Sequence, residues 1–325
     1  MKLCLSIEIQ EGLSYAETLA MTTAAETLGF ESSLLAEHYY PSGPMDQYSG
    51  DPGETISADA WIYLAALARD TQHIRLGTLV SPVTFRHPVV LAKMAATLDH
   101  VSDGRAELGI GAGWLEPEHQ AYGIAFPEPG RRVDLVEEQL QVINGLFTQD
   151  PFSHTGAAYT IQQAHFTPKP LQQPRPTIIV GGRTTSRRLL RLAATHADEF
   201  VIGQPTPEQL RDVRQRLDAA CEKVGRSGDD VRLSIFAPMA IGGSSDEVEQ
   251  LMQTYRRDNP QYVRMMDDLS TWLMGTPEQV ADQLSALEAA GAARAMVSVN
   301  CDLHRQMLPL LEEAQRAANR STPAR

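Results

Sequence analysis

His38 is the side chain best suited to moving a proton. It sits in Ala36-Glu37-His38-Tyr39-Tyr40, where a short apolar run gives way to a loop rich in Pro and Gly, and an imidazole changes charge near neutral pH. A histidine that only hydrogen-bonds a loop would look the same in sequence. Two further stretches end apolar runs in chemically open loops: Thr78-Leu79-Val80-Ser81, and Gly109-Ile110-Gly111-Ala112-Gly113-Trp114. Glycines at alternate positions exceed what a turn needs, so Gly111, Ala112 and Gly113 read as a bare ledge for a flat ring. Gly181-Gly182-Arg183-Thr184-Thr185 lies between an apolar run and a helical pattern. Its backbone N–H groups, a helix dipole and Arg183 can hold a phosphate, although a plain strand-to-helix turn with an N-cap Thr reads alike. Tyr39, Trp114, Glu118 and His119 flank these stretches as substrate-side candidates, and Glu116, Glu118 and His119 read equally as a solvated face.

These residues need a scaffold that brings strand ends together. Apolar runs of strand length fall at residues 3–9, 31–36, 74–80, 106–111, 177–180, 199–202, 231–241 and 295–299. Between them lie helical patterns. Leu91, Met94, Leu98 and Val101 follow Pro88 at spacings of 3, 4 and 3, and Val133, Val136, Leu140, Ile143 and Phe147 form a stripe. Thr206-Pro207-Glu208-Gln209 and Thr276-Pro277-Glu278-Gln279 are helix-start signals, and Ser244 to Glu247 is a third. About eight strand-helix units predict a parallel sheet. A single α/β domain over residues 1–325, a (β/α)8 TIM barrel with insertions in the loops at the C-terminal face of the strands, is the simplest closure. A doubly wound sheet would place GxGxxG after the first strand, where this chain has Glu8-Ile9-Gln10-Glu11-Gly12. A Pro-, Gln- and Thr-rich excursion interrupts the alternation at about residues 148–176.

Composition narrows the function. With 28 basic and 41 acidic residues the net charge is −13, which opposes nucleic-acid binding through a broad basic face. Cys4, Cys221 and Cys301 have neither CxxC nor ligand spacing, so reduced thiols are expected. No run approaches the length of a membrane span and the N-terminus does not read as a signal peptide, so a cytoplasmic protein with no membrane partner is expected. HExxH and GxSxG are absent, and His38, His87 and His119 have no carboxylate partner at ligand spacing. No metal is expected.

Residues 76–88, the helix 91–99, Ser102-Asp103-Gly104-Arg105 and Gly109 to Trp114 resemble the bacterial-luciferase-like oxidoreductases, and more closely the branch that uses coenzyme F420. The likeness continues through Glu118-His119-Gln120-Ala121-Tyr122-Gly123, Phe126-Pro127, Pro168-Lys169-Pro170, Ile179-Val180-Gly181-Gly182 and Ala197-Asp198-Glu199, about 280 residues in all.

The resemblance implies a barrel holding F420, or FMN as the alternative, at its C-terminal rim. Thr78, Leu79, Val80 and Ser81 would back the ring, with a cis bond at Leu79-Val80. Gly111, Ala112 and Gly113 would lie beside it, and Gly181, Gly182, Arg183 and Thr184 would hold the phosphate. His38 matches the histidine near the reacting ring. The implied reaction is hydride transfer between F420 and a small organic substrate. An FMN-dependent monooxygenase using oxygen is the alternative, and a non-catalytic flavin- or F420-binding protein is a third reading. A homodimer and a separate flavin or F420 reductase are the implied partners. The family's alkanesulfonate monooxygenases carry Arg and His on strand seven, where this chain reads Ser234-Ile235-Phe236-Ala237-Pro238-Met239; that departure weakens a sulfonate reading. Residues 39–56, 148–176 and 255–275, the last with Met265, Met266, Trp272 and Met274, are expected to shape the substrate side.

Overall fold

The computed structural model describes residues 1–41, 57–183, 185–258, 269–298 and 304–321. Eight parallel strands close on themselves: β1 (Lys2–Ile7), β2 (Ser32–Leu35), β3 (Arg75–Thr78), β5 (Ala106–Gly111), β8 (Thr177–Gly182), β9 (Glu199–Gly203), β10 (Arg232–Ile241) and β12 (Arg294–Ser298). Pairing of β12 with β1, Cys4 opposite Met296, completes the ring. This is the expected (β/α)8 TIM barrel. The remaining strands are β4 (Ser81–Pro82), which extends the edge of β5, the hairpin β6 (Phe152–Thr155) and β7 (Thr160–Ala164), and β11 (Leu273–Gly275) beside β10.

The helices are α1 (Tyr15–Thr27), α2 (Ala60–Asp70), α3 (Pro88–Val101), α4 (Glu116–Tyr122), α5 (Pro129–Thr148), α6 (Arg187–His196), α7 (Pro207–Lys223), α8 (Ser245–Asp258), α9 (Pro277–Ala289) and α10 (His304–Ser321). Their ends follow local chemistry. Ser14 and Glu17 cap α1 reciprocally, as Thr206 and Gln209 cap α7 and Thr276 and Gln279 cap α9. The N-cap of α6 is Ser186, not a threonine as in the plain-turn reading of this stretch. The 148–176 excursion contains the β6–β7 hairpin. Its strands are polar and mostly exposed, so they carry little of the apolar alternation by which strands are recognised. Glu138 of α5 anchors it by accepting from the N–H groups of Ala158 and Tyr159 at 2.9 and 2.7 Å.

Strand alternation divides the interior. Leu3, Leu5 and Ile7 of β1 face the helices in the large apolar layer, whereas Cys4 packs in the lumen with Leu34, Ile179, Val201 and Met296. Burying each such aliphatic side chain contributes about 1.5–3 kcal/mol. Burial pushes the Cys4 thiol up to about 12, which keeps it an inert thiol.

The N-terminal end of the lumen is ionic. Arg294 is 1% exposed and binds Glu199 at 2.6 and 3.0 Å, Glu107 at 3.1 Å, Glu31 at 3.2 Å and Ser32 Oγ at 3.0 Å. Arg75 reaches Glu107 at 2.8 Å and Arg232 reaches Glu199 at 3.1 Å. Among the described residues, no helix is long and apolar enough to cross a membrane.

Candidate active site

His38 emerges three residues beyond β2, at the C-terminal mouth of the barrel. Its Nδ1 lies 3.0 Å from Glu118 Oε1, and the backbone N–H of Tyr39 donates to Glu118 Oε2 at 3.0 Å. Glu118 is buried on α4, 1% exposed. A carboxylate only accepts, so Nδ1 carries the proton and Nε2 is left with its lone pair. Among the described residues Nε2 has no hydrogen-bond partner. Trp114, 49% exposed, stands edge-on to the His38 ring at 5.4 Å. The carboxylate that His38 meets is 80 residues away in sequence, beyond the reach of spacing rules.

The neighbouring His119 is not on the substrate side. It is fully buried, its Nδ1 donates to Leu115 O at 2.8 Å, and its Nε2 accepts from Thr84 Oγ1 at 2.7 Å. Packed against Phe85 and Phe126, it fastens α4 to the loop after β4. The solvated-face reading of Glu118 and His119 fails with their burial. Tyr39 turns toward α2 and α3: its hydroxyl donates to Asp59 and accepts from Arg86 at 2.7 Å, and its ring stacks on Phe85 at 4.7 Å. Residues 42–56, Thr184, residues 259–268 with Met265 and Met266, and Cys301 lie outside the described residues.

The peptide bond Leu79-Val80 is cis. Behind it, Thr78 Oγ1 donates to Gly109 O at 3.1 Å and Ser81 Oγ donates to the buried Glu37, which also accepts from Trp61 Nε1 at 3.3 Å and pairs with Arg86. Glu37, Arg86 and Asp59 form a support that motif reading missed; burial pushes the Glu37 carboxyl up while Arg86 pulls it down. In front, the Val80 side chain occupies the space the strand glycines leave. A Cβ on Gly109 would come 2.9 Å from Val80 Cγ1 and 2.1 Å from Thr78 O; on Gly111, 2.5 Å from Val80 Cγ2; on Gly181, 3.2 Å from Val80 Cγ1. The alternate glycines therefore serve Val80 first. Leu79 and Val80 are half-buried at the mouth, and Leu79 and Phe236 pack on the lumen cluster. Gly113, at φ +75°, turns the chain toward α4.

Across the mouth, Gly181 and Gly182 end β8, and the backbone N–H of Arg183 donates to Ser186 Oγ at 3.0 Å. Ser186 makes no side-chain cap bond and the Arg187 N–H goes to Thr185 O at 2.9 Å, so among the described residues the N–H groups of Arg188 and Leu189 remain for an anion, with the exposed Arg183 and Arg187 beside them. An apolar shelf, a proton-exchanging imidazole and an anion-ready helix start are what a flat heteroaromatic ring with a phosphate tail requires.

Residues 4–294 match the family described as luciferase-like monooxygenase. An FMNH(2)-dependent dimethylsulfone monooxygenase of Pseudomonas putida is 28% identical over 254 residues, 70% of this chain and 69% of that protein. An F420-dependent glucose-6-phosphate dehydrogenase of Microbacterium testaceum is 30% identical over 218 residues, 66% of this chain and 61% of that protein. Among solved structures, an F420-dependent secondary alcohol dehydrogenase in complex with an F420-acetone adduct superposes with a TM-score of 0.80 at 19% identity, covering 98% of each chain; that likeness speaks to the fold alone.

Proposed function

The chain belongs to the luciferase-like monooxygenase family, and on that premise we propose that it is an F420-dependent oxidoreductase, exchanging a hydride between the deazaflavin and a small organic substrate. The observation that carries the reading is His38, whose Nδ1 is committed to buried Glu118 while Nε2 stays open. When bound, the deazaflavin supplies or takes up the hydride. The accompanying proton moves at His38 Nε2, and Glu118 steadies the imidazolium that proton uptake creates. Such general acid–base assistance contributes about 10²–10⁴-fold.

Leu79 and Val80 offer the ring an apolar face, with Gly111, Ala112 and Gly113 at its edge. Thr78 and Ser81 act from behind, because their hydroxyls are spent on Gly109 O and Glu37. Gly181, Gly182, Arg183 and the start of α6 hold the phosphate. Reduced cofactor comes from a separate flavin or F420 reductase, and the chain works as a homodimer, which analytical ultracentrifugation checks.

A second reading, an FMN-dependent monooxygenase, draws support from the Pseudomonas putida relative. Titrating the purified protein with F420 and with FMN, by cofactor fluorescence, separates the two. Binding of F420, followed by substrate-dependent change in its absorbance, supports the proposal. Tight FMN binding with oxygen consumption and no affinity for F420 overturns it.

A further inference from the structure

The turn that follows β4 touches both halves of the candidate site. Gln139 of α5 donates through Nε2 to Val83 O at 2.9 Å and to Arg86 O at 3.1 Å, which fixes the backbone of the turn. Its side chains then go different ways. Thr84 Oγ1 holds His119 of α4 at 2.7 Å, Phe85 stacks on Tyr39 at 4.7 Å, and His87 is the N-cap of α3.

Arg86 is the branch point. Its Nη1 pairs with Glu37, and its Nη2 donates to Tyr39 Oη at 2.7 Å and to Asp59 Oδ2 at 2.9 Å. Glu37 in turn accepts from Ser81 Oγ and from Trp61 Nε1. Ser81 directly follows Val80, so this carboxylate fixes one end of the shelf, and Thr78 Oγ1, donating to Gly109 O, fixes the other. On the Tyr39 side the link is the backbone: the Tyr39 N–H donates to Glu118 Oε2, and Glu118 Oε1 meets His38 Nδ1. Two short routes thus leave one guanidinium, one to the shelf and one to the histidine. Arg105 is built differently. It spends its donors on Ser102 O, Thr71 Oγ1, Ile74 O and Ala68 O, away from the mouth.

We propose that Arg86 is a positioning residue that couples the cofactor shelf to the proton-exchanging histidine, holding Leu79 and Val80 through Glu37 and His38 through Tyr39. The roles of shelf and histidine rest on the hydride-transfer reading; the coupling is a property of the chain itself. Hydride and proton are exchanged with one substrate, so the two halves must keep register, and a misplacement of about 1 Å costs about 10²-fold in rate. One joint sets both. A planar guanidinium serves partners on two sides at fixed separation, whereas an ammonium is a point charge on a flexible stem.

Two reporters are read by NMR on the cofactor-free full chain: the methyl shifts of Val80 and the 15N pattern of His38. Wild type is compared with Arg86→Met, Arg86→Lys, Ser81→Ala and Tyr39→Phe, with Arg105→Met as the control for destabilisation and circular dichroism as the check on folding. Ser81→Ala is expected to move Val80 alone, Tyr39→Phe to move His38 alone, and Arg86→Met to move both. Arg86→Lys is expected to stay paired with Glu37, leaving Val80 in place, and to shift His38 away from its Nδ1–H form. Adding Tyr39→Phe to Arg86→Met is expected to move His38 no further, because that link is already cut. The proposal is overturned if Arg86→Met leaves either reporter at its wild-type position, if it moves them no more than Arg105→Met does, or if the double variant is fully additive. Where Arg86→Met does not fold, an unmoved His38 in Arg86→Lys overturns it. F420 affinity is titrated separately by fluorescence: wild type that binds no F420 while Arg86→Met moves both reporters overturns the cofactor reading alone, and F420 binding with unmoved reporters overturns the coupling alone.

Discussion

The two ends of the barrel lumen are both polar, and they handle charge in opposite ways. At the N-terminal end Arg294, Arg75 and Arg232 meet Glu107, Glu199 and Glu31 in a closed set. At the C-terminal mouth His38 keeps one nitrogen open. A closed set of matched charges specifies how strands assemble; groups with spare capacity are available to a ligand. Polarity inside a barrel is therefore no guide to function until each partner is counted.

The largest break should come from Arg294→Met, which leaves Glu107 and Glu199 buried beside the remaining arginines. A loss of about 3–5 kcal/mol in urea unfolding is expected, with F420 affinity of the folded fraction unchanged. Stability retained with cofactor binding lost would erase the contrast between the ends. His38→Asn inverts the test: its amide can still donate to Glu118, so stability should stay within about 1 kcal/mol while turnover falls about 10²–10⁴-fold. Gly111→Ala puts a methyl 2.5 Å from Val80 Cγ2. Overpacking should cost about 1–3 kcal/mol and weaken cofactor binding in fluorescence titration.

Glu118→Gln retains one acceptor oxygen for two donors. Turnover is expected to fall about tenfold with KM little changed, and 15N spectra should show His38 losing its preference for the Nδ1–H form. The mildest probe is pH. Burial alone would raise the Glu107 carboxyl, but Arg294 and Arg75 outweigh it and hold it at about 2, below the ordinary 4.5. Its contribution to stability is complete above pH 4.5 and disappears as pH falls toward 2, at no more than about 1.4 kcal/mol per pH unit. Thermal melts across that window should show the slope in wild type and a shallower one in Arg294→Met.

Much of the scaffold was legible because it is written locally. Apolar runs, the caps at Thr206 and Thr276, and Pro88 at a helix start each act within a few residues. The luciferase-like resemblance pointed to the cis bond at Leu79-Val80, which the structure contains. What stayed hidden depends on closure. Glu118 meets His38, and Arg294 meets Glu107, only when distant strands and loops are brought round the ring. The glycines of β5 stand out in the sequence, but nothing local says that Val80 fills the space they leave.

One seven-residue helix holds the carboxylate that orients His38 and receives the Tyr39 N–H, and its own His119 fastens it to Thr84. The proposed proton chemistry is in this sense modular. Exchanging α4 between relatives can retune the histidine without disturbing a single barrel strand, which gives variation, natural or engineered, a small cassette to act on.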